Sequence, residues 1–267
     1  VAAESCLHRG RPVPVRLQET AIVVPCFNEE NRLDREQLAE LARAPDLSVV
    51  FVNDGSSDGT QAVLEALRDA SGGRIEALAL ERNVGKGEAV RHGMRFAIEN
   101  GARVVGFADA DLSTPPDELV RVRDELVRHG VSVVTGARVA LIGRDIKRRA
   151  SRHYLGRIFA TFASAILETP FYDTQCGAKF FRASPLLAAA LEAPFLSRWA
   201  FDVELLGRLL VGTKEHAPLT RRDFREVPLH RWEDVGGSKL RPGGMARAAG
   251  DLLVIARELR DLRRARR

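Results

Sequence analysis

Apolar residues fall in short runs along the first half of the chain, and each run stops at a polar, turn-rich loop. Residues 21–25, 48–52, 75–80 and 104–107 are near-continuous in Val, Ile, Ala, Leu and Phe, the pattern of strands covered on both faces. Stretches with helical spacing lie between them. Asn28 is placed to cap a first helix that carries Glu29 and Glu30 in its opening turn, with Leu33, Leu38 and Leu41 on one side. Asp58 or Thr60 opens a second helix, a glycine-broken loop after residue 80 leads into a third, and a fourth runs to His129. A fifth strand covers residues 131–136. Strand and helix alternate with short connections, which predicts an α/β fold with a mostly parallel, Rossmann-like sheet and helices on both faces. Three strands end in the loops PCFNE, NDGS and DAD. In a parallel sheet those loops share one edge and can converge on one ligand.

The second half reads differently. Over residues 144–167, Leu155, Ile158, Phe159, Phe162 and Ile166 recur at helical spacing, while Lys147, Arg148, Arg149, Arg152 and Arg157 crowd the first half. One helix with an apolar face and a basic start is expected, with Arg148 and Arg152 one turn apart and able to grip one phosphate. Asp173 to Gly177 forms a tight turn before a strand over 178–182, and Phe201 and Asp202 open a helix. The glycine-hinged segment GGSKLRPGG offers Lys239 as a lid cation for a diphosphate. A last helix carries Leu252, Leu253, Ile255, Leu259 and Leu262 along a broad stripe.

Charge sharpens this picture. Residues 241–267 hold eight Arg against Asp251, Glu258 and Asp261, so that segment accounts for the whole formal excess of +5. Without interleaved aromatic residues it does not suit nucleic acid, and an anionic membrane surface is the expected partner. No run approaches the roughly 20 apolar residues of a membrane span, and no leader pattern stands at the start. The expectation is a cytoplasmic protein, peripheral at the cytoplasmic face of a membrane. Cys6, Cys26 and Cys176 lack the spacing of a disulfide framework or zinc site.

The candidate chemistry rests on carboxylates. The first strand is not followed by the G-x-G-x-x-G turn of dinucleotide-binding domains, and Gly85-Lys86-Gly87 lacks the spacing and hydroxyl of a P-loop. Acids on the first two loops can accept hydrogen bonds from a base N–H and ribose hydroxyls. Asp109 and Asp111, one residue apart, suit a hard divalent ion on a diphosphate.

The motifs VVPCFNEE, VVFVNDGSSDGT, RNVGKGEAVRHGM and FADADLSTPPDEL occur in this order, followed by DTQCGAKFFR, FDVEL, Trp232 and GGSK. Together they resemble the inverting family-2 glycosyltransferases of GT-A fold, and among them the dolichyl- or polyprenyl-phosphate sugar synthases, the dolichyl-phosphate glucosyltransferase branch above all. The resemblance spans about residues 20–240. It departs at Asn53, where many relatives have Asp, and at Ala178, where Phe or Tyr is common. It implies that Pro25, Asn28, Glu29 and Asp54 hold the donor nucleoside, with Lys86 beside them. Asp109 would touch ribose or metal, and Asp111 would bind Mg²⁺ or Mn²⁺. Arg148, Arg152 and Gln175 fall to the acceptor, and Lys239 to the donor. The implied division is a flexible arm over 1–18 and a GT-A domain over 19–240. That domain has a nucleotide-sugar half (19–137) and an acceptor half (138–240), with a basic helix over 241–267. The implied reaction moves a hexose, glucose, from a UDP-linked sugar to a lipid phosphate. With a small-molecule or saccharide hydroxyl as acceptor, Asp202 would serve as base.

Overall fold

A computed structural model describes residues 16–148, 150–235 and 243–266. The strands and helices of the first half follow the predicted alternation. They are β1 (Thr20–Cys26), α1 (Arg35–Arg43), β2 (Leu47–Asn53), α2 (Thr60–Ala70), β3 (Ile75–Ala79), α3 (Lys86–Glu99), β4 (Val104–Ala108), α4 (Pro116–His129) and β5 (Val133–Ala137). The second half adds β6 (Asp145–Lys147), α5 (Ala150–Leu167), β7 (Ala178–Arg182), α6 (Pro185–Ala190), α7 (Phe201–Val211), β8 (Phe224–Pro228), β9 (Arg231–Glu233) and α8 (Gly243–Arg266).

Seven strands form one sheet in the order β3-β2-β1-β4-β7-β5-β8, while β6 and β9 pair apart from it. Six strands of the sheet run parallel, and β7 is inserted antiparallel between β4 and β5. That reversal matters for the site. Ala178, the first residue of β7, pairs with Ala108, the last of β4. The turn before β7 therefore stands at the same edge as the loops that follow β1, β2 and β4.

Side chains alternate across the sheet, so each strand feeds two cores. Ile22 and Val24 join the layer under α1, α2 and α4, and Val23 joins the layer under α3, α7 and α8. The expected first helix starts later than the sequence suggests. Asp34 caps α1, accepting from the N–H groups of Glu36 at 3.1 Å and Gln37 at 3.0 Å. Asn28 cannot cap there: it sits in a loop at φ 51°, and its side-chain oxygen accepts the Ser57 N–H at 2.9 Å.

The helix expected over 144–167 is also shorter. Residues 145–147 are a strand instead, and α5 begins at Ala150. Arg148 precedes the helix, so it and Arg152 are not one turn apart. The face predicted as a single apolar stripe is divided. Ala160, Ala163 and Leu167 are buried, their small side chains letting α5 approach the core, and Phe159 and Ile166 pack beside them. Tyr154, Leu155, Ile158 and Phe162 are exposed, at 39% to 69% of their surface.

The C-terminal helix is part of the domain core. Leu252, Ile255 and Leu259 are buried where α8 packs on α5 and α7, and the absent side chain of Gly207 admits Leu259. Leu253 and Leu262, expected in the same stripe, face outward. Of the arm expected over 1–18, residues 1–15 lie outside the described residues, and Leu17 is buried in the sheet's core. Because Leu259 is fully enclosed, Leu259→Ala is expected to lower unfolding free energy by about 2–5 kcal/mol, read from the urea midpoint. A dispensable tail would leave that midpoint unchanged.

Candidate active site

The edge where the strand ends meet is built by loops that hold one another. Asn28, Glu29 and Glu30 each donate a backbone N–H to the second loop: to Ser56 Oγ at 2.9 Å, Thr60 Oγ1 at 2.8 Å and Asp58 Oδ2 at 3.3 Å. The Glu30 carboxylate accepts the Gly59 N–H in return at 3.0 Å. These bonds fix the mouth of a cavity of about 290 Å³ lined by Pro25, Phe27, Glu29, Asp54 and Lys86, among others. Four of the predicted donor residues therefore share one pocket. Asn28 serves as a clasp between loops.

Asp54 is committed to the neighbouring loop. Its carboxylate accepts from the Val84 N–H at 2.7 Å, the Gly85 N–H at 2.9 Å and Asn83 Nδ2 at 3.0 Å. Burial pushes its carboxyl above the usual carboxylate range, against the pull of those bonds. Gly85 has φ 105°, which favours glycine, and a side chain there would collide with Arg198 Nε at 2.6 Å.

Arg198 and Trp199 close the far wall of the cavity, and sequence reasoning missed both. Arg198 donates to Asn83 O at 3.0 Å, Asn83 Oδ1 at 2.8 Å and Val84 O at 3.1 Å, tying the acceptor half to the donor half. The only sequence signal was their position just before the FDVEL helix. Gln175, predicted on the acceptor side, reaches this wall through Nε2 to the Trp199 carbonyl at 3.5 Å.

Beyond Lys86 lies a line of paired charges. Lys86 bridges to Asp109. Burial disfavours the lysine's charge, but Asp109, Asp202 and Asp111 outweigh it and hold its pKa above the ordinary value. Burial likewise opposes ionisation of Asp109, and Lys86 overcomes it, so that carboxyl lies below its usual value. Asp111 accepts from the Ser113 N–H at 3.1 Å and hydroxyl at 2.8 Å on one oxygen. Its other oxygen has no such bond among the described residues. Leu112 is held left-handed at φ 46° by its buried side chain and by its N–H to Asp109 O at 3.0 Å, which sets the bend of the D-x-D turn.

Among the described residues no three His, Cys, Asp or Glu side chains cluster as a metal cage. One or two carboxylates at this edge do fit a hard divalent ion that takes its remaining oxygens from a diphosphate and water.

Asp202 is expected to open its helix and, with a hydroxyl acceptor, to serve as base. It caps nothing: Ala200 is the N-cap of α7, with no side-chain bond there. Its Oδ2 instead meets Lys179 Nζ at 2.6 Å, and the lysine also donates to Cys176 O at 2.5 Å. Burial pushes the Asp202 carboxyl up, opposed by Lys179. Arg138 makes a fork on Asp173 at 2.7 and 2.8 Å. Lys179 and Arg138 were not singled out in the sequence, because their partners are distant in the chain.

Arg148 lies half-buried against Gly156 of α5. Burial and the nearby Arg138 lower its pKa, opposed by Asp173. Arg152 belongs to the first turn of α5, with its side chain outside the described residues, and Lys239 lies outside them altogether. Among the described residues no helix is long and apolar enough to cross a membrane.

The sequence profile of glycosyl transferase family 2 matches residues 21–187. A dolichyl-phosphate beta-glucosyltransferase of Trichomonas vaginalis is 30% identical over 255 residues, 89% of this chain and 70% of that protein. One of Drosophila melanogaster is 33% identical over 244 residues, 84% and 70% of the two chains. The fold is shared with glucosyl-3-phosphoglycerate synthase from Mycobacterium tuberculosis, solved with Mn²⁺, UDP and glucosyl-3-phosphoglycerate. That likeness has a TM-score of 0.63 at 18% identity and covers 90% of this chain and 80% of that one.

The pocket wall also carries a pH signature. Glu204, fully buried, accepts the Leu196 N–H at 2.9 Å and pairs with Arg208 at 2.5 Å. Burial pushes it from 4.5 to about 7. Over that interval the folded chain holds a proton that the unfolded chain has lost, so stability is expected to fall as pH rises. Glu204→Gln should flatten that part of the curve of urea midpoint against pH. A slope unchanged by the substitution would assign the dependence to other groups.

Proposed function

The chain belongs to glycosyl transferase family 2, and from that premise we propose that it transfers glucose from UDP-glucose to a polyprenyl or dolichyl phosphate, inverting the anomeric carbon. The observation that carries the acceptor is the outward apolar band of α5, Tyr154, Leu155, Ile158 and Phe162, which begins close to Arg148. An isoprenoid chain needs such a surface and its phosphate needs the cation. The dolichyl-phosphate glucosyltransferases among the relatives support the same acceptor.

In this reading Pro25, Glu29 and the loop held by Asp54 seat the nucleoside, and Lys86 faces the diphosphate. Mg²⁺ or Mn²⁺ held by Asp111 and Asp109 would neutralise the departing diphosphate. An acceptor phosphate oxygen forms its bond to the anomeric carbon as the bond to the diphosphate oxygen breaks, and UDP leaves. One in-line displacement gives inversion, helped chiefly by positioning. The nucleophile is already an anion, so no base is required. The pairing of Asp202 with Lys179 suits that chemistry, since one of its oxygens is already engaged.

A hydroxyl acceptor remains the second reading, favoured by the upward push on the Asp202 carboxyl. Asp202→Asn separates the two: near-complete loss of turnover fits a base, modest loss fits a structural pair.

If Asp111 holds the cation, Asp111→Asn should keep the fold and lower turnover at least about a hundredfold. Chelation by EDTA should abolish transfer, and Mn²⁺ or Mg²⁺ restore it. Full activity in chelator would remove the metal from the mechanism.

The protein is also expected to bind anionic liposomes in co-sedimentation, less as salt rises. Arg148→Ala with Arg152→Ala should raise the KM for polyprenyl phosphate far more than that for UDP-glucose. Turnover of a soluble alcohol with none of the lipid phosphate would favour the hydroxyl reading instead.

A further inference from the structure

The family profile ends at residue 187, yet a wall of the donor cavity is made by Arg198 and Trp199. What fixes that wall comes from still further along the chain. Ser197 is 2% exposed, and its hydroxyl is fully used. Its oxygen accepts the Ala200 N–H at 2.8 Å and the Trp199 N–H at 3.2 Å, and its hydrogen goes to Asp251 Oδ2 on α8 at 2.5 Å. A hydroxyl has one donor and two acceptor sites, so no freedom is left at this atom. We propose that Asp251 is a positioning residue for the donor cavity, acting through Ser197 to set the backbone that carries Arg198 and Trp199.

The physical argument turns on the orientation of the Ser197 hydroxyl. Without an acceptor on α8, its hydrogen is free to turn toward other carbonyls. Its lone pairs then leave the two N–H groups of residues 199 and 200. A hydrogen bond to a charged acceptor is the stronger kind and holds this rotor in one orientation. Trp199 is 40% exposed, and its backbone N–H is one of the two that the Ser197 oxygen holds. Arg198 depends on the same backbone for its three bonds to Asn83 and Val84. A displaced Arg198 would free the loop that Asp54 grips from the other side.

The arrangement also has a second anchor on the same helix. Arg208 donates to the carbonyls of Ala193 at 2.8 Å and Pro194 at 2.9 Å, and to Glu258 of α8 at 3.3 Å. The segment entering the wall is thus tied to α8 at both Asp251 and Glu258. The helix therefore helps shape the donor site without lining its cavity.

This inference rests on the reading of the cavity as the UDP-sugar site, and the experiment keeps the two apart. In the full chain, Asp251→Ala and Ser197→Ala should each weaken UDP and UDP-glucose binding about tenfold by calorimetry. Their KM for UDP-glucose should rise to match, with kcat and the acceptor KM within about twofold of the parent. The double mutant should be no worse than either single one. Asp251→Asn, whose amide oxygen still accepts the hydroxyl hydrogen, should restore most of the affinity. In a Trp232→Phe background Trp199 is the sole remaining tryptophan, and its emission should shift to the red in Asp251→Ala but not in Asp251→Asn.

Parent-like nucleotide affinity in Asp251→Ala would overturn the proposal. So would equal losses in the Ala and Asn variants with unchanged Trp199 emission, which would make Asp251 a packing residue. If the parent protein binds no uridine nucleotide, the donor reading fails, and the Trp199 emission still decides the link from Asp251 to the wall.

Discussion

A lysine with no exposed surface stands in β7, the reversed strand between β4 and β5. Taking a charge out of water costs several kcal/mol unless a counter-charge and hydrogen bonds replace the solvent. Lys179 finds both in Asp202 and the carbonyl of Cys176, and the face of Phe107 lies 5.3 Å from its ammonium. That requirement fixes α7 against the sheet, since Asp202 sits in its first turn. It fixes the turn before β7 as well, through Cys176. This one buried pair thus ties α7 and the turn before β7 to the same point of the sheet.

From there charge alternates outward along the edge. Lys86–Asp109, Lys179–Asp202 and Arg138–Asp173 pair at this edge, and Asp109 also feels the charges of Arg138 and Lys179. Burial opposes the charge on Asp173, yet Arg138 holds its carboxyl well below the usual range. Each charge is oriented by a neighbour before any ligand arrives. Such preorganisation is what electrostatic catalysis draws upon, because fixed groups need no rearrangement as charge develops.

The sequence made the first half legible because local pattern and tertiary position agree there. Continuous apolar runs, short connections and three polar loops are sufficient to place Asp54, Asp109 and Asp111 at one edge, and the family resemblance adds Lys86. The second half defeated local reading for identifiable reasons. A basic run before an apolar helix looks helical by period, but Ile146 is drawn into a strand by pairing with Trp232. The α5 stripe was visible as apolar, while its division was not, since the buried side is made by alanines. Lys179 reads as an ordinary strand lysine until Asp202 is folded beneath it. Arg198 and Trp199 carry no motif of their own, and only the closing of α7 on the sheet brings them to the cavity.

The position of β7 bears on how the chain emerges during synthesis. The strands β1 to β4 can assemble as soon as residue 108 is available, and N-terminal units generally fold first as a polypeptide grows. Their natural neighbour, however, does not begin until Ala178. Throughout that interval β4 offers an open row of backbone donors and acceptors, the kind of template that recruits strands from other nascent chains. β5 is made during the wait and would pair parallel beside β4 if it docked directly, leaving no berth for the reversed strand. The native seam therefore closes only once β7 has been made, although β5 precedes it in the chain, so the order in which the strands appear is not the order in which they sit.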